Sequence, residues 1–157
     1  MNLFDLGSVF EKIKTQMKSM TIRSIALGLG LITLSLGTAR AADPDISKLP
    51  PAAKKEGVTY EKDIKPIFEK SCINCHGPEK PKSKYRLDSR EAAIKGGSSG
   101  EAAVVVGKSE KSPMVIQAAD LVEEDLRMPP VDKRDKYPAL TKEQIGLLRA
   151  WIDQGAK

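Results

Sequence analysis

The residues best equipped for chemistry are Cys72-Ile73-Asn74-Cys75-His76. On one turn of helix, Cys72, Cys75 and His76 stand at i, i+3 and i+4 and share a face. This C-x-x-C-H string reads as a c-type haem attachment site. Two thiols on that face can each form a thioether with a haem vinyl group, and the imidazole beside them can bind the iron axially. The spacing is what one flat cofactor asks of the chain, so the cofactor expected is a single, covalent haem c.

Two blander chemistries use the same pair. A C-x-x-C centre can exchange disulfides, but that reading wants a βαβ pattern, which the chain lacks. It can also be half of a structural zinc site, which needs four ligands. The chain has only two cysteines and one histidine. The single histidine also rules out two-imidazole ligation within one chain. The sixth iron position is left to Met, Lys, a small molecule or nothing.

A thioether sulfur is neutral and polarizable, and Met opposite His raises the reduction potential. Beyond the leader described below, the methionines are Met114 and Met128. Met114 falls on the apolar face of an expected helix, where core packing is the simpler role. Met128 has no such role and is followed by Pro129 and Pro130. Those rings fix φ and stiffen the loop, so a sulfur is presented at small ordering cost. Met128 is the favoured distal ligand, with Met114, Lys or an open site as alternatives.

Several elements must hold these groups. Tyr60, Ile64, Ile67 and Phe68 repeat at helical steps, predicting a helix over Thr59 to Ser71 that leads into the cysteines. Pro66 is tolerated there if the helix starts near Asp63; otherwise it kinks the helix. Gly77-Pro78 ends the haem turn. Lys80, Lys82, Lys84 and Arg86 follow, either as a solvated loop or as a cationic rim that meets a propionate or steers an acidic partner. Ser89 to Lys95 reads as a short helix capped by Ser89 and closed by Gly96. The loop Gly96 to Gly100 lacks the Lys-Ser/Thr ending of a phosphate loop. Val104 to Val106 reads as a short extended piece. A helix beginning at Ser112-Pro113 carries Met114, Val115, Ala118, Ala119 and Val122 on its apolar face. The last helix opens on a Thr141/Gln144 capping box, lines one face with Ile145, Leu148, Trp151 and Ile152, and closes at Gly155. Trp151, Ile152, Ile64 and Phe68 are expected to pack around the porphyrin.

The chain has 157 residues, which suggests one domain. Aromatics make up 4%, so a haem would supply much of the apolar volume a core needs. Residues 1–41 read as a signal peptide, whose over-extended start is best explained by a start codon assigned too early. The uncharged stretch Ile25 to Ala39 precedes Ala39-Arg40-Ala41, a small-x-small cleavage site. The stretch is short for a spanning anchor, yet an uncleaved leader would leave a membrane tether. The formal charge is +5, and five basic residues against two acidic ones fall before Ala42. The basic balance thus belongs largely to the leader and gives no reason to expect nucleic-acid binding. Residues 42–58, with Pro44, Pro50 and Pro51, read as an extended linker, and 59–157 as the cytochrome domain.

The strings Ile64-Lys65-Pro66-Ile67-Phe68, Cys72-x-x-Cys75-His76-Gly77, Arg86-Leu87-Asp88-Ser89-Arg90, Gly96-Gly97-Ser98, Met128-Pro129-Pro130 and Trp151-Ile152-Asp153-Gln154-Gly155-Ala156 occur in this order. Together they resemble the planctomycete-type cytochrome c domain, a branch of the class I cytochromes c, over about Tyr60 to Ala156. The resemblance implies an all-α fold of about four short helices around one haem, with first and last helices crossing. It also implies His76 as proximal and Met128 as distal ligand. One departure touches the loop before Arg86: the family tends to have glycine where Ser83 and Lys84 stand. The function expected is an exported, periplasmic monohaem cytochrome carrying single electrons between redox partner proteins. The rivals are a peroxidase-like or substrate-oxidising haem enzyme and a haem-based ligand sensor. Both require an open or displaceable distal position, and the enzyme also wants a distal acid or base.

Overall fold

A computed structural model describes residues 43–157, and among them all regular structure is helical. The signal peptide, its cleavage site and Ala42 lie outside the described residues. We label the α-helices α1 (Lys65–Ser71), α2 (Ile73–His76), α3 (Arg90–Lys95), α4 (Pro113–Ala118) and α5 (Lys142–Asp153). The expected all-α architecture is found. The count exceeds the expected four because Cys72, at φ −127° and ψ −41°, breaks the chain between α1 and α2.

The helix predicted over Thr59 to Ser71 forms in two parts. Tyr60–Ile64 is one wide, π-helical turn, and α1 continues from it with Pro66 in its first turn. Proline offers no N–H to an i−4 carbonyl, and this junction places it where no such bond is needed. Asp63 caps the entry by accepting the Thr59 N–H at 2.9 Å. At the other end of the domain, Thr141 and Gln144 form the predicted capping box of α5, at 2.9 and 3.2 Å. Gly155 ends that helix region at φ +95°.

The Tyr60–Ile64 turn and α5 pack against each other. Tyr60 lies between Phe68 and Trp151, with ring centroids 6.2 and 5.7 Å away. Such pairs are worth ~0.5–1.5 kcal/mol beyond their area burial. Trp151 Nε1 donates to the Lys157 carbonyl, and so does the Tyr60 N–H, each at 2.8 Å. The two ends of the domain are thereby tied through one carbonyl.

The segment expected to be an extended linker has one 3-10 turn, Ile46–Lys48, and is docked rather than free. The Ala53 N–H donates to the Gly146 carbonyl at 2.8 Å, and Arg149 donates to the Pro50 carbonyl. Gln154 reaches both the Lys55 carbonyl and the Val58 N–H, at 2.7 and 3.1 Å. Gly146 permits this approach, since a Cβ there would stand 2.8 Å from the Pro51 carbonyl oxygen.

Val104 to Val106 carries no regular structure, and the Val105 N–H bonds to the buried Ser112 hydroxyl at 2.9 Å. One further expectation changes. Helix α4 stops at Ala118, short of Val122, because the chain turns at Asp120, where φ is +59°.

Candidate cofactor site

Helix α2 gathers the three residues the sequence singled out. The Cys72 carbonyl accepts from the N–H groups of both Cys75 and His76, each at 3.0 Å. Cys72, Cys75 and His76 therefore sit on one turn, and all three line a cavity of about 530 Å³. The turn ends at Gly77 in extended backbone, a position that suits glycine because a Cβ there would lie 2.6 Å from the Ile73 carbonyl oxygen.

The strand-like strap Tyr85 to Leu87 fixes the imidazole. His76 Nδ1 lies 3.1 Å from the Tyr85 carbonyl oxygen. That partner accepts only, so the network assigns the proton to Nδ1 and leaves the Nε2 lone pair free. The Leu87 N–H donates to the His76 carbonyl at 2.7 Å, and the Tyr60 hydroxyl donates to the Leu87 carbonyl at 2.6 Å. The Tyr85 hydroxyl is anchored on the Ala93 carbonyl of α3 at 3.0 Å. Nothing in residue type marks Tyr60 or Tyr85 for this role, because a backbone carbonyl acceptor leaves no trace there. The string Arg86-Leu87-Asp88 was the nearest signal.

Burial dominates the electrostatics. It lowers the His76 pKa, with the Tyr85 carbonyl opposing, and so favours the neutral imidazole that metals require. The Cys72 thiol is pushed up to about 12, chiefly by burial and then by Cys75. Cys72 is half-buried, and its open side faces the cavity. A redox-active C-x-x-C centre depends on a depressed thiol pKa, so the direction found here counts against disulfide exchange. No group of three or more His, Cys, Asp or Glu able to hold a metal ion occurs among the described residues.

The far parts of the cavity come from later elements. Met128 lines it, followed by Pro129 and Pro130, and the Met128–Pro129 peptide is cis. Met114, for which core packing was the simpler expectation and distal ligation the alternative, lines it too, from α4. Phe68 contributes to the wall, whereas Leu148, Leu87 and Leu140 stand where Trp151, Ile152 and Ile64 were expected. Trp151, Ile152 and Ile64 are fully buried, with Trp151 packed on Tyr60. The volume falls within the range of cofactor pockets, ~300–1,000 Å³, and the apolar walls with few polar groups match their usual make-up. The donor set suits haem c: two cysteines at attachment spacing, an imidazole with a free nitrogen, and thioethers facing the same cavity.

The basic run divides. Arg86 is engaged with Asp88 at 2.8 and 2.5 Å. Lys80 and Lys82 line an open groove beside Cys75 together with Asp132, Lys133, Asp135 and Lys136, and Lys82 lines the cofactor cavity as well. Ser83 and Lys84, where the family tends to have glycine, both take left-handed backbone, at φ +52° and +54°.

No curated protein and no solved structure matches the chain. Residues 72–132 match the family model described as Planctomycete cytochrome C. The matched stretch takes in the α2 motif, the Tyr85–Leu87 strap and the Met128 loop. The stretch from the attachment turn to the Met128 loop is therefore similar to the planctomycete-type cytochrome c domain, a family that implies haem c as cofactor.

Proposed function

We propose that the protein is a monohaem electron carrier, with haem c attached through Cys72 and Cys75 and axially held by His76 and Met128. The observation that carries this reading is one cavity faced by the attachment turn, by a His76 whose Nδ1 is engaged at Tyr85, and by Met128. Bound there, haem c would supply a one-electron iron couple. The chain's own part is to orient and desolvate. Tyr85 sets the imidazole tautomer, Leu87 and Tyr60 hold the strap, and Phe68, Leu148 and Leu140 exclude water from the cavity.

A redox protein with an acidic face is the partner we propose. Lys80, Lys82, Lys133 and Lys136 border the groove beside Cys75. Leu126 and Val131 stand exposed on the Met128 loop. An apolar patch with nearby cations suits a brief, electrostatically steered encounter. We read residues 1–41 as an export signal, on the apolar stretch and the Ala39-Arg40-Ala41 site, and place the protein in the periplasm or another exported compartment.

The deciding experiment is a redox titration of the haem-loaded protein with absorbance detection. A reversible one-electron couple, with the weak far-red sulfur-to-iron band in the oxidised form, is expected. Loss of that band in Met128→Ala and its survival in Met114→Ala would assign the sulfur. A high-spin oxidised protein that reacts rapidly with peroxide would instead support the haem-enzyme alternative.

A further inference from the structure

Met128 sits on a segment with little apolar anchorage. Between Leu121 and Lys133 only Pro129 is buried. Hydrogen bonds must therefore hold the loop against the body of the domain. The Met128 N–H donates to the Gln117 carbonyl of α4 at 3.2 Å, while the bond from Arg127 Nε to the Val122 carbonyl, at 3.1 Å, stays within the loop. Arg134 does more than either. Its Nε donates to the Pro129 carbonyl at 3.1 Å, while its two terminal nitrogens donate to Asp120 at 2.8 and 2.6 Å.

We infer that Arg134 is a positioning residue for the distal ligand, clasping the carbonyl that follows Met128 and the Asp120 carboxylate at the end of α4 in one guanidinium fork. This rests on the reading of Met128 as the axial ligand. Three observations carry it. The bond to Pro129 falls on the residue next to the sulfur bearer, so Arg134 acts on the loop where displacement matters most. The contact with Asp120 is bidentate, which fixes direction as well as distance. Both side chains are partly shielded, with 24% and 36% exposure, so solvent weakens the pair less than at an open surface. Lysine can replace the charge but not the planar fork.

The consequence is an equilibrium between a closed loop, with sulfur at the iron site, and an open one. An added ligand that competes with Met128 reads this equilibrium, because its apparent affinity scales with the open fraction. Losing one charge-assisted hydrogen bond should raise that fraction about tenfold. The test titrates imidazole into oxidised, haem-loaded protein and follows the far-red band and the reduction potential. Arg134→Lys should bind imidazole about tenfold more tightly than wild type, with a weaker far-red band and a lower potential. Asp120→Asn should shift these readouts in the same direction by less; asparagine also accepts the left-handed backbone found at 120.

Met128→Ala serves as the reference. If that variant keeps the band and the wild-type imidazole affinity, the axial assignment fails and takes this inference with it. If Met128→Ala loses the band but Arg134→Lys and Asp120→Asn both bind imidazole within about twofold of wild type, the clasp is overturned and the ligation stands. A lower melting temperature with unchanged imidazole affinity counts as the same refutation. Should Arg134→Lys fail to accumulate, Asp120→Asn decides alone.

Discussion

Lys84 offers a quantitative test of the backbone beside the cofactor site. Its φ is +54°, in the left-handed region, and its side chain is exposed. A residue with a Cβ pays roughly 1–2 kcal/mol there. Glycine removes that cost but gives back ~0.5–1 kcal/mol through its freer unfolded chain. Lys84→Gly should therefore stabilise the protein by ~0.5–1 kcal/mol, which for a domain of this size raises Tm by ~2–5 °C. Lys84→Asn should fall between, since asparagine tolerates this region better than lysine. Lys108, another exposed lysine, has φ −142°. With no strain to relieve, Lys108→Gly should leave Tm unchanged or lower it. The assay is thermal unfolding of haem-loaded protein by circular dichroism at one ionic strength. A lower Tm for Lys84→Gly, or equal shifts for Lys84→Gly and Lys108→Gly, would refute the left-handed assignment.

Gly77→Ala should destabilise by ~1–3 kcal/mol, because the new methyl meets the Ile73 carbonyl oxygen at 2.6 Å and the α2 turn must yield; urea unfolding and the yield of haem-loaded protein both report it. Tyr60→Phe should cost ~1–2 kcal/mol by leaving the Leu87 carbonyl without its donor, as measured by the same unfolding curves. Arg134 holds the Asp120 pKa below its ordinary 3.8 in the folded protein. Its contribution is present above 3.8 and lost as pH falls through the lowered folded value, so the Tm gap between wild type and Asp120→Asn should close on acidification below 3.8. A gap that widens there would show that the sign is wrong.

Local signals made part of this structure readable in advance. The i, i+3, i+4 geometry of Cys72, Cys75 and His76, the Ser89 cap, with its hydroxyl 3.3 Å from the Ala92 N–H, and the Thr141/Gln144 box each depend on residues a turn apart. What sequence could not show is long-range and carried by backbone groups. The docking of residues 43–58 on α5 runs through carbonyls of Pro50 and Lys55, and Pro-rich extended chain has no period to reveal its partner. Periodicity placed Trp151 and Ile152 on the inner face of α5, but that face is shared. Leu148 looks into the cavity, while Trp151 meets Tyr60. Met114 was read as core packing because its helical face is apolar, and an apolar face is also what a cofactor cavity presents. The Arg134–Asp120 pair spans fourteen positions of loop, a separation with no local code.

The most direct test is the intact mass of the matured protein under denaturing, reducing conditions, followed by peptide mapping. We expect the mass of one haem added to the polypeptide, located on the peptide that contains Cys72 and Cys75. A chain of unmodified mass, with both cysteines free to alkylate, would contradict the account at its root.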